Sequence, residues 1–138
     1  MTDAAAIHAA TLTLDTHIDI RWPDPPDATG ETDRRVARRF CATATELEAA
    51  HAAGALCVLS AVENGNAMAR DLSRLALWRE LGAIYVTLTH DGHNDLADAA
   101  RPKAELGDAE AEHGGLAPLG RDAIREMHRL GLLVDVSH

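Results

Sequence analysis

Aromatic side chains are nearly missing from this sequence, at 3% of 138 residues, so any core has to be filled by Ala, Leu, Val and Ile. Positive charge is scarce too. Thirteen Lys and Arg stand against 22 Asp and Glu, for a net charge of -9, a balance that repels phosphate backbones and anionic lipid and so excludes nucleic acid and membrane surfaces as natural partners. The start, Met1-Thr2-Asp3-Ala4-Ala5-Ala6-Ile7, has neither a basic n-region nor a long apolar segment, so neither a signal peptide nor a spanning helix is visible and a cytoplasmic location is expected. The two cysteines, Cys41 and Cys57, lack metal-type spacing and read as isolated small apolar residues in a reducing compartment. No repeat or low-complexity tract is present. The length fits a single domain over residues 1–138.

What is present is an alternation of helix signals and apolar strands. A short helical lead-in at Ile7 to Ala10 precedes an apolar run, Leu12 to Ile20, which reads as a strand; Pro23, Pro25 and Pro26 then stop regular structure. Asp24 to Phe40 is polar, with a basic cluster of Arg34, Arg35, Arg38 and Arg39, and reads as a loop or a solvated surface helix. Thr43-x-x-Glu46 and Thr45-x-x-Glu48 both fit a capping box, with Leu47, Ala50 and His51 on one face of the helix they open and Gly54 closing it. Ala55 to Val62 is a continuous apolar run, the mark of a strand buried on both faces of a parallel sheet. A helix over Ala67 to Leu81, with Met68, Leu72 and Leu75 at helical spacing and Trp78 packing on the core, stops at Gly82. The strand Ala83 to Thr89 follows. Asp91 to Gly115 is a long polar segment, and loops of that length are usually functional or disordered. Pro118 then opens a helix striped by Ile124, Met127 and Leu130 and ended by Gly131. Leu132 to His138 is the last strand. The alternation argues for a parallel α/β protein with right-handed crossovers.

In such folds ligands gather at the carboxyl ends of the strands. Each expected strand finishes in a residue that can bind a cation or move a proton: His17 and Asp19, Glu63, His90, and His138. His17 and Asp19, two apart on a strand, point to one face and can share an ion, and imidazole with carboxylate suits zinc and its neighbours. The bland alternative is a set of solvated strand-end groups. Asp15 is either support for the His17 ring or another such carboxylate. His93, Asn94, Asp95 and Asp98 either belong to the site or cap and brace the long loop. His8, His51, His113 and His128 read as solvated surface residues.

Four blocks in order, Asp15-Thr16-His17-Ile18-Asp19, Val62-Glu63-Asn64-Gly65, Thr87-Leu88-Thr89-His90-Asp91-Gly92-His93-Asn94-Asp95-Leu96-Ala97-Asp98, and Gly115-Leu116-x-Pro118-x-Gly120-Arg121 through Val134-Asp135-Val136-Ser137-His138, resemble the membrane dipeptidase (renal dipeptidase) family of zinc peptidases. The resemblance implies a (β/α)8-type barrel with two zinc ions at its strand ends and a dipeptide as substrate. By that resemblance His17 and Asp19 bind the first metal, Glu63 bridges both, and His138 binds the second. His90 contacts the substrate and stabilises the tetrahedral intermediate, so His90 and Glu63 are the catalytic residues. A whole barrel takes typically ~250 residues. The chain is therefore expected to be a partial barrel lacking the C-terminal strands and the second strand, with room for one of the two zinc ions. A homo-oligomer or a missing C-terminal portion would cover its open edges. Three functions follow: a zinc dipeptidase or part of one, a non-catalytic remnant binding at most one metal, or another metal-dependent amidohydrolase.

Overall fold

Ala4–Ala10 forms helix α1 in the computed structural model, which describes residues 3–11 and 38–138. Asp3 caps that helix by accepting from the Ala5 amide at 3.0 Å. The expected strand Leu12 to Ile20, with Asp15, His17 and Asp19, lies outside the described residues, as do Arg34 and Arg35.

A strand stands where the sequence suggested a loop or helix. Arg38–Phe40 is β1, and it pairs in parallel with β2, Leu56–Val58. Its polar composition hid it, because the strand is short and Phe40 is 77% exposed, so no buried apolar run marks it. Between them lies α2, Ala44–Ala52, opened by the Thr43/Glu46 capping box and not by Thr45. The Thr43 hydroxyl accepts from the Glu46 amide, and the Glu46 carboxylate accepts from Thr43 N–H at 3.0 Å and from Ala42 N–H at 2.8 Å. Those amide donors, Ala42 first, hold the Glu46 carboxyl below its ordinary value.

The cysteines are not isolated thiols: Cys41 and Cys57 are joined by a disulfide. The pairing of β1 with β2 explains it. Cys41 follows β1, its amide donates to the Val58 carbonyl at 2.9 Å, and its Cα sits 6.1 Å from that of Cys57, within the reach of a disulfide.

The run from Ala55 to Val62 splits in two. After β2, Leu59 interrupts the ladder and Ser60–Val62 forms β3, which pairs in parallel with β4, Ala83–Thr87. On its other side β4 pairs in parallel with β5, Leu133–Asp135. The described strands therefore make a two-stranded ladder, β1-β2, and a three-stranded one, β3-β4-β5, without a closed barrel. Burial on both faces does not hold for this run. The register aligns Val62, Val86 and Val134 on one face, packed on the helices, and Ala61, Tyr85 and Leu133 on the other, where Leu133 is 65% exposed.

The helical layer consists of α3, Ser73–Glu80, and α4, Pro118–Leu130. The first helix starts later than its apolar spacing implies. Gly65–Met68 is a short 3-10 turn, and Asp71 accepts from both the Ser73 amide and the Ser73 hydroxyl, fixing the entry to α3. Met68, Leu75, Val86, Leu96, Met127 and Leu132 form the centre of the core, with Leu72, Trp78, Ile124 and Leu130 against it. With so few aromatics, methionine supplies two of the largest fully buried side chains, Met68 and Met127. Among the described residues, no helix is long and apolar enough to cross a membrane.

Candidate metal centre

Three neighbouring strands deliver one side chain each to the same spot. Glu63 directly follows β3, His90 lies three residues beyond β4, and His138 three beyond β5. Glu63 Oε1 is 3.0 Å from His138 Nε2 and 3.6 Å from His90 Nε2, and the two imidazole rings face each other at 4.4 Å between centroids. One ligand atom from each residue falls within a sphere of mutual distances no greater than 4.8 Å. The side chains stay partly open, at 32% for Glu63, 44% for His90 and 29% for His138, so a small molecule can reach them. Two imidazole nitrogens and a carboxylate oxygen form a borderline donor set that fits zinc and leaves room in a tetrahedral shell for a water or substrate.

The strand order that places these residues is reinforced behind them. Asp135, the last residue of β5, accepts from the Thr87 hydroxyl at 2.6 Å, the Ser137 hydroxyl at 2.6 Å and the Ser137 amide at 3.0 Å. Burial pushes its carboxyl up, but the hydrogen bonds from Ser137 and Thr87 outweigh that and the group sits below its ordinary value. The His138 carbonyl in turn accepts from Ala100 N–H at 2.6 Å. Tyr85 lies on the same sheet face, and its phenol is pushed up by burial and by the carboxylates of Asp135 and Glu63.

The long polar segment after His90 is an ordered scaffold, with a single short 3-10 turn at Ala104–Leu106. Asp98 accepts from the amides of Glu112, His113 and Gly115, and these donors, Gly115 foremost, bring its carboxyl down to about 2. The His93 ring is buried. Ala99 N–H donates to its Nδ1 at 2.9 Å, which puts the ring proton on Nε2, where it donates to the Ala109 carbonyl at 3.0 Å. Asp108 accepts from the amides of Lys103 and His93, which hold its carboxyl low. His93, Asn94 and Asp98 thus brace the loop, whereas Asp95 pairs with Arg70 on the surface at 3.0 Å.

Of the residues singled out in the sequence, Glu63, His90 and His138 come together, and His17 and Asp19 lie outside the described residues. His90, expected against substrate, is equally placed to complete a cation shell with the other two. His51 and His128 are exposed; His113 is exposed too, yet its Nε2 lies 3.0 Å from the Asn94 carbonyl. Sequence reasoning missed Thr87 and Asp135. The signal for Asp135 was there, since an Asp followed two residues later by Ser is the pattern of a side chain closing a turn on its own backbone.

Comparison with known proteins bears on the family and the fold. Residues 29–138 match the model of a family described as membrane dipeptidase (peptidase family M19). The dipeptidase AclJ of Aspergillus oryzae is 36% identical over 88 residues, 64% of this chain and 19% of that protein. The dipeptidase TcpJ of Claviceps purpurea is 38% identical over 85 residues, covering 62% of this chain and 19% of that protein. This chain therefore spans about a fifth of the relatives it matches. Among solved structures, the probable dipeptidase PvdM from Pseudomonas aeruginosa superposes with a TM-score of 0.71 at 27% identity, over 74% of this chain and 26% of that one. An amidohydrolase from the same organism shares the fold, with a TM-score of 0.63 at 20% identity over 74% of this chain and 29% of that one.

Proposed function

Because this chain belongs to the membrane dipeptidase family, we propose that the whole protein hydrolyses dipeptides at a binuclear zinc site to which these residues contribute Glu63, His90 and His138. The observation that carries the reading is the convergence of those three donors within 4.8 Å at the ends of three adjacent parallel strands. In this proposal His17 and Asp19 would hold the first zinc, Glu63 would hold both and His138 would hold the second. When bound, zinc supplies Lewis acidity to water and to the scissile carbonyl.

The chain's own groups perform the rest. Glu63 and His138 fix the cation position from two strand ends whose separation the backbone ladder sets. His90 enters from the strand between them, where its imidazole N–H can oppose the charge that grows on the carbonyl oxygen as water attacks. The partial exposure of all three admits a substrate as small as a dipeptide.

A second reading follows from the same cluster. The three donors fit one ion by themselves, so these residues alone could hold a single metal without turnover. Calorimetric zinc titration of the chain and of Glu63→Ala, alongside an assay for free amino acids released from dipeptides, separates the two. Two zinc ions per chain, reduced by Glu63→Ala, with amino-acid release supports the dipeptidase. Unchanged stoichiometry in Glu63→Ala would remove Glu63 from the bridging role, and one ion without release supports the binding element. Release from acylated or cyclic amides in place of dipeptides marks another amidohydrolase.

For partners we propose a dipeptide and no nucleic acid, given the charge of -9, and self-association or a further portion along the β5 edge, where Leu133 and Val136 are exposed. For location two proposals compete. The N-terminal sequence led to the cytosol, whereas the Cys41–Cys57 bond favours an oxidising compartment.

A further inference from the structure

One side chain in the long loop touches both strand ends that carry Glu63 and His90. The Asn94 amide nitrogen donates to the Leu88 carbonyl at 2.8 Å and to Asn64 Oδ1 at 3.1 Å, while its oxygen accepts from the amides of Leu96 at 2.8 Å and Ala97 at 3.2 Å. Both amide hydrogens and both lone pairs of the oxygen are used. Leu88 precedes His90 by two residues, and Asn64 is the neighbour of Glu63. The same Leu88 carbonyl also accepts from Gly65 N–H at 3.2 Å, so the turn after β3 and the end of β4 meet at one oxygen.

Asn64 is held in an unusual backbone state, at φ 72, ψ 101, and its side-chain oxygen accepts from Asn66 N–H as well. A left-handed φ costs a non-glycine residue energy and persists only where the surroundings enforce it. Here the turn sends the chain away just after Glu63. A Cβ on Gly65 would collide with Leu96 Cδ1 and lie 3.0 Å from the Leu88 carbonyl oxygen, so the loop that carries Asn94 is seated directly on this turn.

We infer that Asn94 is a positioning residue, whose amide sets the separation of Glu63 from His90 by tying together the two strand ends that bear them. The inference rests on the reading that Glu63 and His90 serve one site. It assigns Asn94 no contact with substrate or metal. It makes the loop part of the site's geometry and not only a cover for the helices.

Asn94→Asp keeps the size and the accepting oxygen and loses both donors, leaving a carboxylate against two acceptor oxygens. Asn64→Gly removes the link from Asn94 together with the acceptor of the Asn66 amide, and tolerates the positive φ. In the full chain without metal, the nuclear Overhauser contact between the His90 ring and the Glu63 side chain is expected in the wild type and lost in Asn94→Asp, while amide signals of α3 and α4 keep their positions. Titration with Co2+, followed by its visible spectrum, is expected to show an affinity about tenfold or more weaker in Asn94→Asp and a smaller loss in Asn64→Gly. A purely structural residue would lower the melting temperature and leave both readouts of the folded protein alone. Retention of the contact and of Co2+ affinity in Asn94→Asp overturns the inference; if that variant does not fold, the same two readouts in Asn64→Gly decide. A wild type that binds no Co2+ would count against the functional reading, and the contact between His90 and Glu63 would still judge Asn94.

Discussion

The Thr87 hydroxyl, almost fully buried, donates to Asp135 Oδ2 at 2.6 Å across the β4–β5 ladder, so the strand that leads to His90 is bolted to the strand that leads to His138. Thr87→Val keeps the shape and removes the donor. A hydrogen bond to a charged acceptor is worth about 1.5–3 kcal/mol, so chemical denaturation should show a loss of that order. Carboxyl carbon shifts of Asp135 should move its titration up, since one of the donors that hold it low is gone.

Asp98 gives the loop an acid limit. Its pKa falls from the ordinary 3.8 to about 2 because three backbone amides donate to it. A carboxyl depressed on folding stabilises the native state above its unfolded pKa and loses that contribution as pH falls through the folded value. Protection of the Glu112, His113 and Gly115 amides against exchange, relative to an unstructured chain at the same pH, should therefore fall between about pH 4 and pH 2, and Asp98→Asn should show reduced protection there already at neutral pH.

Gly120 packs α4 against the loop. A Cβ there would strike the Leu96 carbonyl oxygen and come within 2.7 Å of Leu116 Cδ1, and that carbonyl is fixed by Ala117 N–H at 2.8 Å. Gly120→Ala should cost about 1–3 kcal/mol or more, measured as a drop in denaturation midpoint, whereas alanine at an exposed helical site such as Arg125 should be near neutral.

The disulfide closes a loop of 16 residues around α2. Such a closure is worth about 3 kcal/mol. Alkylation of unreduced protein should leave both cysteines unlabelled, and reductant should lower the melting temperature. Full labelling without reductant would favour the cytosolic proposal.

Zinc should raise the melting temperature of the wild-type chain, by about 2.7 kcal/mol of stability at a hundredfold excess over its dissociation constant. The increment should vanish with a chelator and shrink in His138→Ala.

How much of this was legible in the sequence follows from the kind of signal each part carries. The strands β3, β4 and β5 and the helix α4 announce themselves through apolar runs and end signals, and the donors Glu63, His90 and His138 fall at the ends of those runs. That made the site visible before the fold. The strand β1 was not legible, because two arginines and one exposed phenylalanine offer no alternation to read. The Cys41–Cys57 bond was hidden for the same reason: it depends on β1 lying beside β2, a pairing that spacing alone does not encode. The break at Leu59 and the late start of α3 are set by ladder register and by the turn at Asp71, which tertiary contacts decide. The support from Thr87, Asn94 and Asp135 needed distances.

Glu63, His90 and His138 arrive from consecutive positions in the ladder β3-β4-β5, yet the shortest approach among them, 3.0 Å, joins Glu63 to His138, whose strands are not neighbours. The sheet works as a ruler. Its graduation, about 4.8 Å per strand, is fixed by peptide hydrogen bonds common to every protein, and the residues that follow each strand close the remaining distance between the donors. Lengthening a helix or a far loop leaves that gauge untouched, while a one-residue slip of any of the three strands shifts its end along the ladder, turns its core residues to the opposite face and carries its donor off the mark.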